Sequence, residues 1–192
     1  MITAFEALFG AVVYFPILIF LNSIVFKDKK KNTAYFLFAF YFASLYSITG
    51  LPTLFNCKYD GFVYLIPFVG MAYDVLNSFL NVFLFIPLGF MLPFVCESYK
   101  RLKTTLLFGM ATSLVIELLQ LFTYRKTDVN DLITNTIGTL LGFLAAKKVI
   151  EKYKKEGVKG KSTELFVVIG LVFVVMFFIQ PPIVALIRKF VV

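Results

Sequence analysis

The sequence predicts an all-α membrane protein, a polytopic bundle of about six transmembrane helices, on three observations. The 192-residue chain is 60% hydrophobic and its mean hydropathy is +0.88, well above the values of ordinary soluble domains. Its apolar runs are long enough to cross about 30 Å of hydrocarbon as helices. They also lack the alternating polarity of barrel strands. We therefore expect residues 1–192 to form a single transmembrane domain.

Six apolar runs are predicted as helices. They span approximately residues 3–26, 34–55, 75–95, 104–124, 129–146 and 164–187. The first run carries Glu6, has no basic region ahead of it and is followed by lysines from Lys27 onward, so we expect a retained helix rather than a cleaved signal peptide. In the third, Pro87 cannot donate to the carbonyl of Phe83, and a neighbouring group must satisfy that acceptor.

The stretch between the second and third predicted helices contains a shorter apolar run, from Gly61 to Tyr73. Its length of about 13 residues is too short for a helix that spans the bilayer, and Pro67 and Gly70 interrupt it. We expect an apolar re-entrant or interfacial segment. An outer loop packed on the bundle is the alternative.

The basic residues predict the orientation. Alternate loops divide the 19 lysines and arginines unevenly. One side holds only Lys58, Arg125, Lys126, Arg188 and Lys189. Since short loops rich in lysine and arginine stay in the cytoplasm, both termini should lie outside. The net charge of +8 is thus attributed to topology and anionic lipid. The basic run from Lys147 to Lys161 is interpreted as a solvated loop rather than a nucleic-acid site.

Cysteine and histidine usage narrows the chemistry. Cys57 and Cys96 fall in loops on opposite membrane faces in this arrangement, which precludes a disulfide between them. The chain has no histidine, so the common histidine-containing triads and metal sites are excluded. We predict no cofactor and no resident metal.

A polar set lies in and beside the third, fourth and fifth predicted helices. Its members are Asn81, Glu117, Gln120, Arg125, Asp128, Asp131 and Asn135. Such groups are costly in hydrocarbon, about 2.5–3.5 kcal/mol for an ionisable side chain, and survive mainly where a bundle interior gives them partners or a function. The set therefore marks a candidate ligand-binding site.

The depth of these residues supports one shared site. At about 1.5 Å of rise per residue, Asn81, Glu117 and Asn135 each lie roughly 9–10 Å below the outer ends of their helices. Helical spacing also places Gly138 and Gly142 on the stripe that bears Asn135, a pair that lets another backbone approach closely. Two alternatives stay open: an asparagine or glutamine can simply join helices, and Asp128 or Asp131 can cap the fifth helix.

Three ordered motifs carry a family resemblance. Residues 81–90 include Asn81 and Pro87, residues 113–120 include Glu117 and Gln120, and residues 127–138 include Asp128, Asp131 and Asn135. Together they resemble the VanZ family over about residues 62–146. The resemblance implies a multi-pass protein of the cytoplasmic membrane of a Gram-positive bacterium, with a role in resistance to the glycopeptide teicoplanin. It points to the same set, except that Arg125 sits where the family often has a basic or small residue.

These observations favour a non-enzymatic binding protein. An outward-facing polar pocket would receive the head of an amphiphile, such as a lipoglycopeptide or a lipid-linked wall precursor, and Arg125 would meet a phosphate or carboxylate. Membrane lipids and a second copy in a homo-oligomer are the other expected partners. Two alternatives remain. One is a membrane enzyme with Glu117 as base and Asp128 or Asp131 as acid or magnesium ligand. The other is a small transporter that uses Glu117 as a proton-coupled switch.

Overall fold

The computed structural model describes residues 16–20, 29–59, 61–68, 74–123, 125–153 and 157–191, and the chain is mostly helical. The helices, in chain order, are α1 (residues 16–20), α2 (Lys29–Thr49), α3 (Val75–Val95), α4 (Leu102–Gln120), α5 (Val129–Tyr153), α6 (Ser162–Val174) and α7 (Gln180–Val191). A 3₁₀ turn, Glu97–Lys100, precedes α4, and a π turn, Val175–Ile179, joins α6 to α7. Two short strands, β1 (Val63–Tyr64) and β2 (Thr127–Asp128), pair with each other.

The third predicted helix coincides with α3, whereas other predicted ends were wrong. The second helix was predicted to end at residue 55, but α2 ends at Thr49 because Gly50 adopts a positive φ of 62°, a common helix terminator. The fifth was predicted to end at 146. Instead α5 continues to Tyr153, since its last turns pair Lys147 with Glu151 at 3.9 Å and need no lipid contact. Most of the first predicted helix lies outside the described residues.

The π turn before α7 has an identifiable cause. Pro181 has no N–H to donate to the carbonyl of Phe177, four residues earlier. Leu54 donates to that carbonyl instead, at 3.0 Å. The freed acceptor is thus satisfied by a loop rather than by the helix itself, and the helix widens there.

Three helical stretches in the described part of the chain are long and apolar enough to cross a membrane: Val75–Val95, Leu102–Gln120 and Ser162–Leu186. The count of six spans and the placement of both termini outside stay predictions. The second and fifth helices fall short of the same measure because polar and charged residues occupy part of their length.

The chain divides into two compact units, residues 1–58 with 162–192 and residues 59–161. In the first unit α2 packs on α6, and Glu164 receives hydrogen bonds from the Tyr35 hydroxyl and from Lys31 Nζ, the latter at 3.3 Å. In the second unit α5 packs on α3 and α4.

Glycines bring α3 and α5 into backbone contact. A Cβ atom on Gly138 would overlap the carbonyl oxygen of Val82, and one on Gly142 would overlap that of Ile86. Gly89 of α3 is equally close to the carbonyl of Thr139. The predicted role of Gly138 and Gly142 in close helix approach is confirmed.

The apolar run after Gly61 is extended in its described part. Val63 and Tyr64 pair in parallel with Thr127 and Asp128 of β2. The side chains of this part are largely exposed, Leu65 at 73% and Phe68 at 70%. Residues 61–68 are called the covering segment below. Their insertion into the membrane interface stays a prediction.

Candidate functional site

Glu117 lies in the last turn of α4 and is only 5% exposed. Its Oε2 accepts a hydrogen bond from the backbone N–H of Asp128 at 3.0 Å. Its backbone carbonyl, one of those left without a partner at a helix end, accepts from the Thr127 hydroxyl at 2.9 Å. The connection from α4 to α5 is therefore folded back onto Glu117.

Charged groups from α5 and the connection surround Glu117. Its carboxylate interacts electrostatically with Asp131, Asp128 and Arg125. Asp131 in turn interacts with Arg125 and with Asn81 of α3. The carboxylates of Glu117, Asp128 and Asp131 thus lie close together, and the exposed guanidinium of Arg125 offsets part of their negative charge. Asn81, Glu117 and Asp131 bring α3, α4 and α5 to one place, whereas depth along the helices predicted Asn135 as the residue of α5.

Asp128 has a structural role at the start of α5. Its Oδ1 accepts from the backbone N–H of Asn130 at 2.8 Å, which is the geometry of a helix N-cap. Of Asp128 and Asp131, the two residues predicted as possible N-caps, Asp128 caps α5. Asp131, within the first turn, turns toward Asn81 and Glu117.

Asn135 joins α5 to α4. Its Nδ2 donates to the Ser113 hydroxyl at 2.9 Å, and its side chain is only 4% exposed. Its Oδ1 is buried and has no hydrogen-bond partner within the described residues. The Nδ2 end of this amide therefore joins α5 to α4, and the Oδ1 end is left without a partner in the described residues.

Asn81 of α3 faces Asp131 of α5, whose carboxylate interacts with its side-chain amide. The Asn81 Nδ2 atom is buried, and its contact with Asp131 falls short of a close, well-directed hydrogen bond. Asn81 and Asp131 thus link α3 to α5, next to the buried Asn135 Oδ1.

Gln120 is buried at the end of α4. It is 5% exposed, one turn beyond Glu117 on α4. Its backbone carbonyl accepts from the Thr123 N–H at 3.0 Å and from the Thr123 hydroxyl at 3.1 Å. These bonds hold the end of α4.

Two contributors to the site were missed by the sequence analysis. Ser113 receives the Asn135 amide, and its position four residues before Glu117 on one helical face was a usable signal. Asn130 is 4% exposed and its Oδ1 accepts from the backbone N–H of Phe68 at 2.7 Å. No spacing rule predicts a bond across such a sequence separation.

The covering segment is attached to the same connection. Besides the β1–β2 pairing, Thr127 donates to the carbonyl of Phe62 at 3.0 Å, and Lys126 Nζ lies 5.4 Å from the centre of the Tyr64 ring. Phe68, held by Asn130, has a positive φ of 65°, which is unfavourable for a side chain with a Cβ. The segment and the carboxylate of Glu117 therefore share β2 as a common support.

Comparison with known proteins gives one family. A family model described as VanZ/LLP1 matches residues 11–151, a range that contains all seven predicted site residues. No curated protein and no solved structure matches the chain.

Proposed function

Because the chain belongs to the VanZ/LLP1 family, we propose that it binds the polar head of an amphiphile at the site between α3, α4 and α5. The observation that carries the proposal is the Asn135 Oδ1 atom, a buried acceptor without a hydrogen-bond partner in the described residues, one turn from Asp131 on α5. A buried polar atom without a partner costs about 1–3 kcal/mol. A ligand with a hydrogen-bond donor would recover this cost.

The chemistry of the site favours a head rich in hydroxyl and amide groups. Carboxamides both donate and accept hydrogen bonds, and carboxylates accept them from sugar hydroxyls and peptide N–H groups. Arg125, exposed beside Asp131, suits a phosphate or carboxylate on the ligand. A lipoglycopeptide such as teicoplanin and a lipid-linked wall precursor both meet this description.

The covering segment supports an amphiphile rather than a fully soluble ligand. Exposed apolar side chains follow one another along it, including Phe62 at 66%, Leu65 at 73% and Ile66 at 67%. This exposed apolar patch is attached to β2, which also contacts Glu117. It provides a surface for the apolar tail of the ligand or for lipid. The proposal places the site in the outer half of a bacterial cytoplasmic membrane and relates it to teicoplanin protection.

The test uses the full chain in lipid nanodiscs with teicoplanin and its deacylated form as probes. Glu117→Gln keeps the shape of the side chain and an acceptor for the Asp128 N–H, but removes the charge. Asn135→Ala removes the unused acceptor. Each should weaken teicoplanin binding at least tenfold and abolish protection in cells at unchanged expression.

Glu151→Gln is the matched control, since Glu151 is exposed on α5 and pairs only with Lys147 within the described residues. Binding and protection unchanged in both site variants would refute the proposal. Catalytic appearance of a new species from a lipid-linked precursor with a divalent metal would instead establish an enzyme. Movement of the probe across sealed vesicles that depends on Glu117 would establish a transporter.

A further inference from the structure

A cavity lies within the unit formed by residues 1–58 and 162–192, whereas the polar set belongs to the other unit. Its volume is about 450 Å³, within the size range of sites for small molecules. The end of α2, the loop that follows it, the π turn and the start of α7 contribute its walls.

Hydrogen bonds between neighbouring segments hold the walls of the cavity together. The Tyr46 hydroxyl donates to the carbonyl of Pro52, and Leu54 donates to the carbonyl of Phe177 in the π turn. The π turn also sets the direction of Gln180, whose N–H bonds to the carbonyl of Val175, five residues earlier. An extra residue in a helix rotates all later side chains by about 100°.

Two buried polar side chains line the cavity. Ser47 is 9% exposed, and its Oγ makes no hydrogen bond within the described residues. Gln180 is 4% exposed and brings a carboxamide to the same wall. A hydroxyl and a carboxamide together offer donors and acceptors to an occupant.

The charge of the lining restricts the occupant. The described residues around the cavity carry no charged side chain, so a phosphate or carboxylate would be buried there without a counter-charge, at high cost. Leu51, Phe55, Met176 and Val184 supply an apolar portion of the wall. The described walls therefore suit an uncharged occupant, with hydroxyl or ester groups next to a hydrocarbon part.

We infer that this cavity is a binding site for the head and first chain carbons of a neutral glycerolipid. The inference rests on Ser47, Gln180 and the uncharged lining alone. It therefore stands or falls separately from the function proposed for the polar set, which lies in the other unit.

The experiment measures binding of monooleoylglycerol to the full chain by native mass spectrometry and by thermal shift, with oleoyl lysophosphatidic acid as the charged counterpart. Wild-type protein should bind the neutral lipid and be stabilised by it, and should bind the charged one at least tenfold more weakly. Ser47→Ala and Gln180→Leu should each lower the affinity for the neutral lipid about tenfold.

Ser44→Ala is the matched control, because the Ser44 hydroxyl bonds within its own helix to the carbonyl of Phe40 at 2.9 Å. The lipid-free melting temperature of Gln180→Leu is measured alongside, so that a loss of binding is distinguished from a loss of folding. Ala185→Phe, which fills the cavity from α7, should abolish binding while the protein stays folded. Equal affinity for the charged lipid, or unchanged affinity in Ser47→Ala and Ala185→Phe, would overturn the inference.

Discussion

Asn135 uses only one end of its side-chain amide within the described structure. Its Nδ2 bonds to Ser113, and its Oδ1 has no partner there. A residue that only joins helices would be expected to satisfy both ends, because each unsatisfied atom is costly in a buried setting. Interhelical packing alone therefore explains the bond of Asn135 Nδ2 but leaves its Oδ1 atom unexplained.

The Ser113–Asn135 bond predicts a specific coupling between two variants. Ser113→Ala and Asn135→Ala should each lower the free energy of unfolding by about 1–3 kcal/mol. The double variant should lose less than the sum by about 1 kcal/mol, because the bond is broken only once. Denaturation of the four proteins in one detergent measures this cycle. Strict additivity would show that the two residues do not interact.

The residues of the polar set could be selected from the sequence because the cost of a polar group in a membrane depends on residue type and depth. Depth along the helices placed Asn81, Glu117 and Asn135 at one level. In the structure Asp131 is the residue that interacts with both Asn81 and Glu117, and Asn135 bonds to Ser113. Depth could not identify Asn130, whose role depends on an acceptor for the Phe68 N–H. Serine and asparagine are common in helices and turns, so only the fold distinguishes those that link distant segments.

At the scale of elements, α3 and α5 approach through glycines on both helices. Gly142→Ala would place a methyl group against the carbonyl of Ile86, and the helices would have to separate. We expect a loss of about 1–3 kcal/mol, the usual cost of overpacking. Thermal unfolding of the purified variant measures it.

Gly170→Ala is the matched control for that substitution. A Cβ atom on Gly170, in α6, meets nothing within 4 Å. Alanine should leave stability unchanged or raise it by up to about 1 kcal/mol, because it favours a helix over glycine. Equal destabilisation by the two substitutions would contradict the assignment of Gly142 to a helix interface.

Helix interiors were more predictable than helix ends. Apolar residues fill α3 between its ends, and the prediction from hydropathy matched it. The end of α5 was misplaced because hydropathy follows lipid contact, whereas α5 continues through the charged residues Lys147 and Glu151. The π turn depends on Leu54 reaching the carbonyl of Phe177, a tertiary contact that the local sequence does not contain.

At the scale of the whole molecule, composition predicts a membrane protein, and the distribution of basic residues predicts its orientation. Three apolar helices meet the length and hydropathy that a span requires in the described chain. The fifth predicted span, α5, carries Asn130, Asp131 and Asn135 on its first turns, so its hydropathy is low where the site lies. A helix that serves a polar site is thus harder to recognise as a span.

The predicted orientation can be tested with the native thiols. Cys57 is exposed and Cys96 is buried, so a membrane-impermeant maleimide should label Cys57 alone in the folded protein. With both termini outside, the loop of Cys57 faces outward, and intact cells should be labelled. A Cys57→Ala variant bearing Lys126→Cys places a second reporter on the exposed connection beside the polar set, and it should also be labelled in intact cells.

The two reporters separate orientation from site access. Labelling of both only after the membrane is permeabilised would reverse the orientation, and the polar set would then face the cytoplasm, where an extracellular antibiotic does not reach it directly. Labelling at Cys57 but not at Lys126→Cys would contradict the alternation of loops on which the basic-residue argument rests. Lys126 is adjacent to Arg125 and to β2. If a ligand reaches the polar set from outside the cell, Lys126→Cys must therefore be labelled in intact cells.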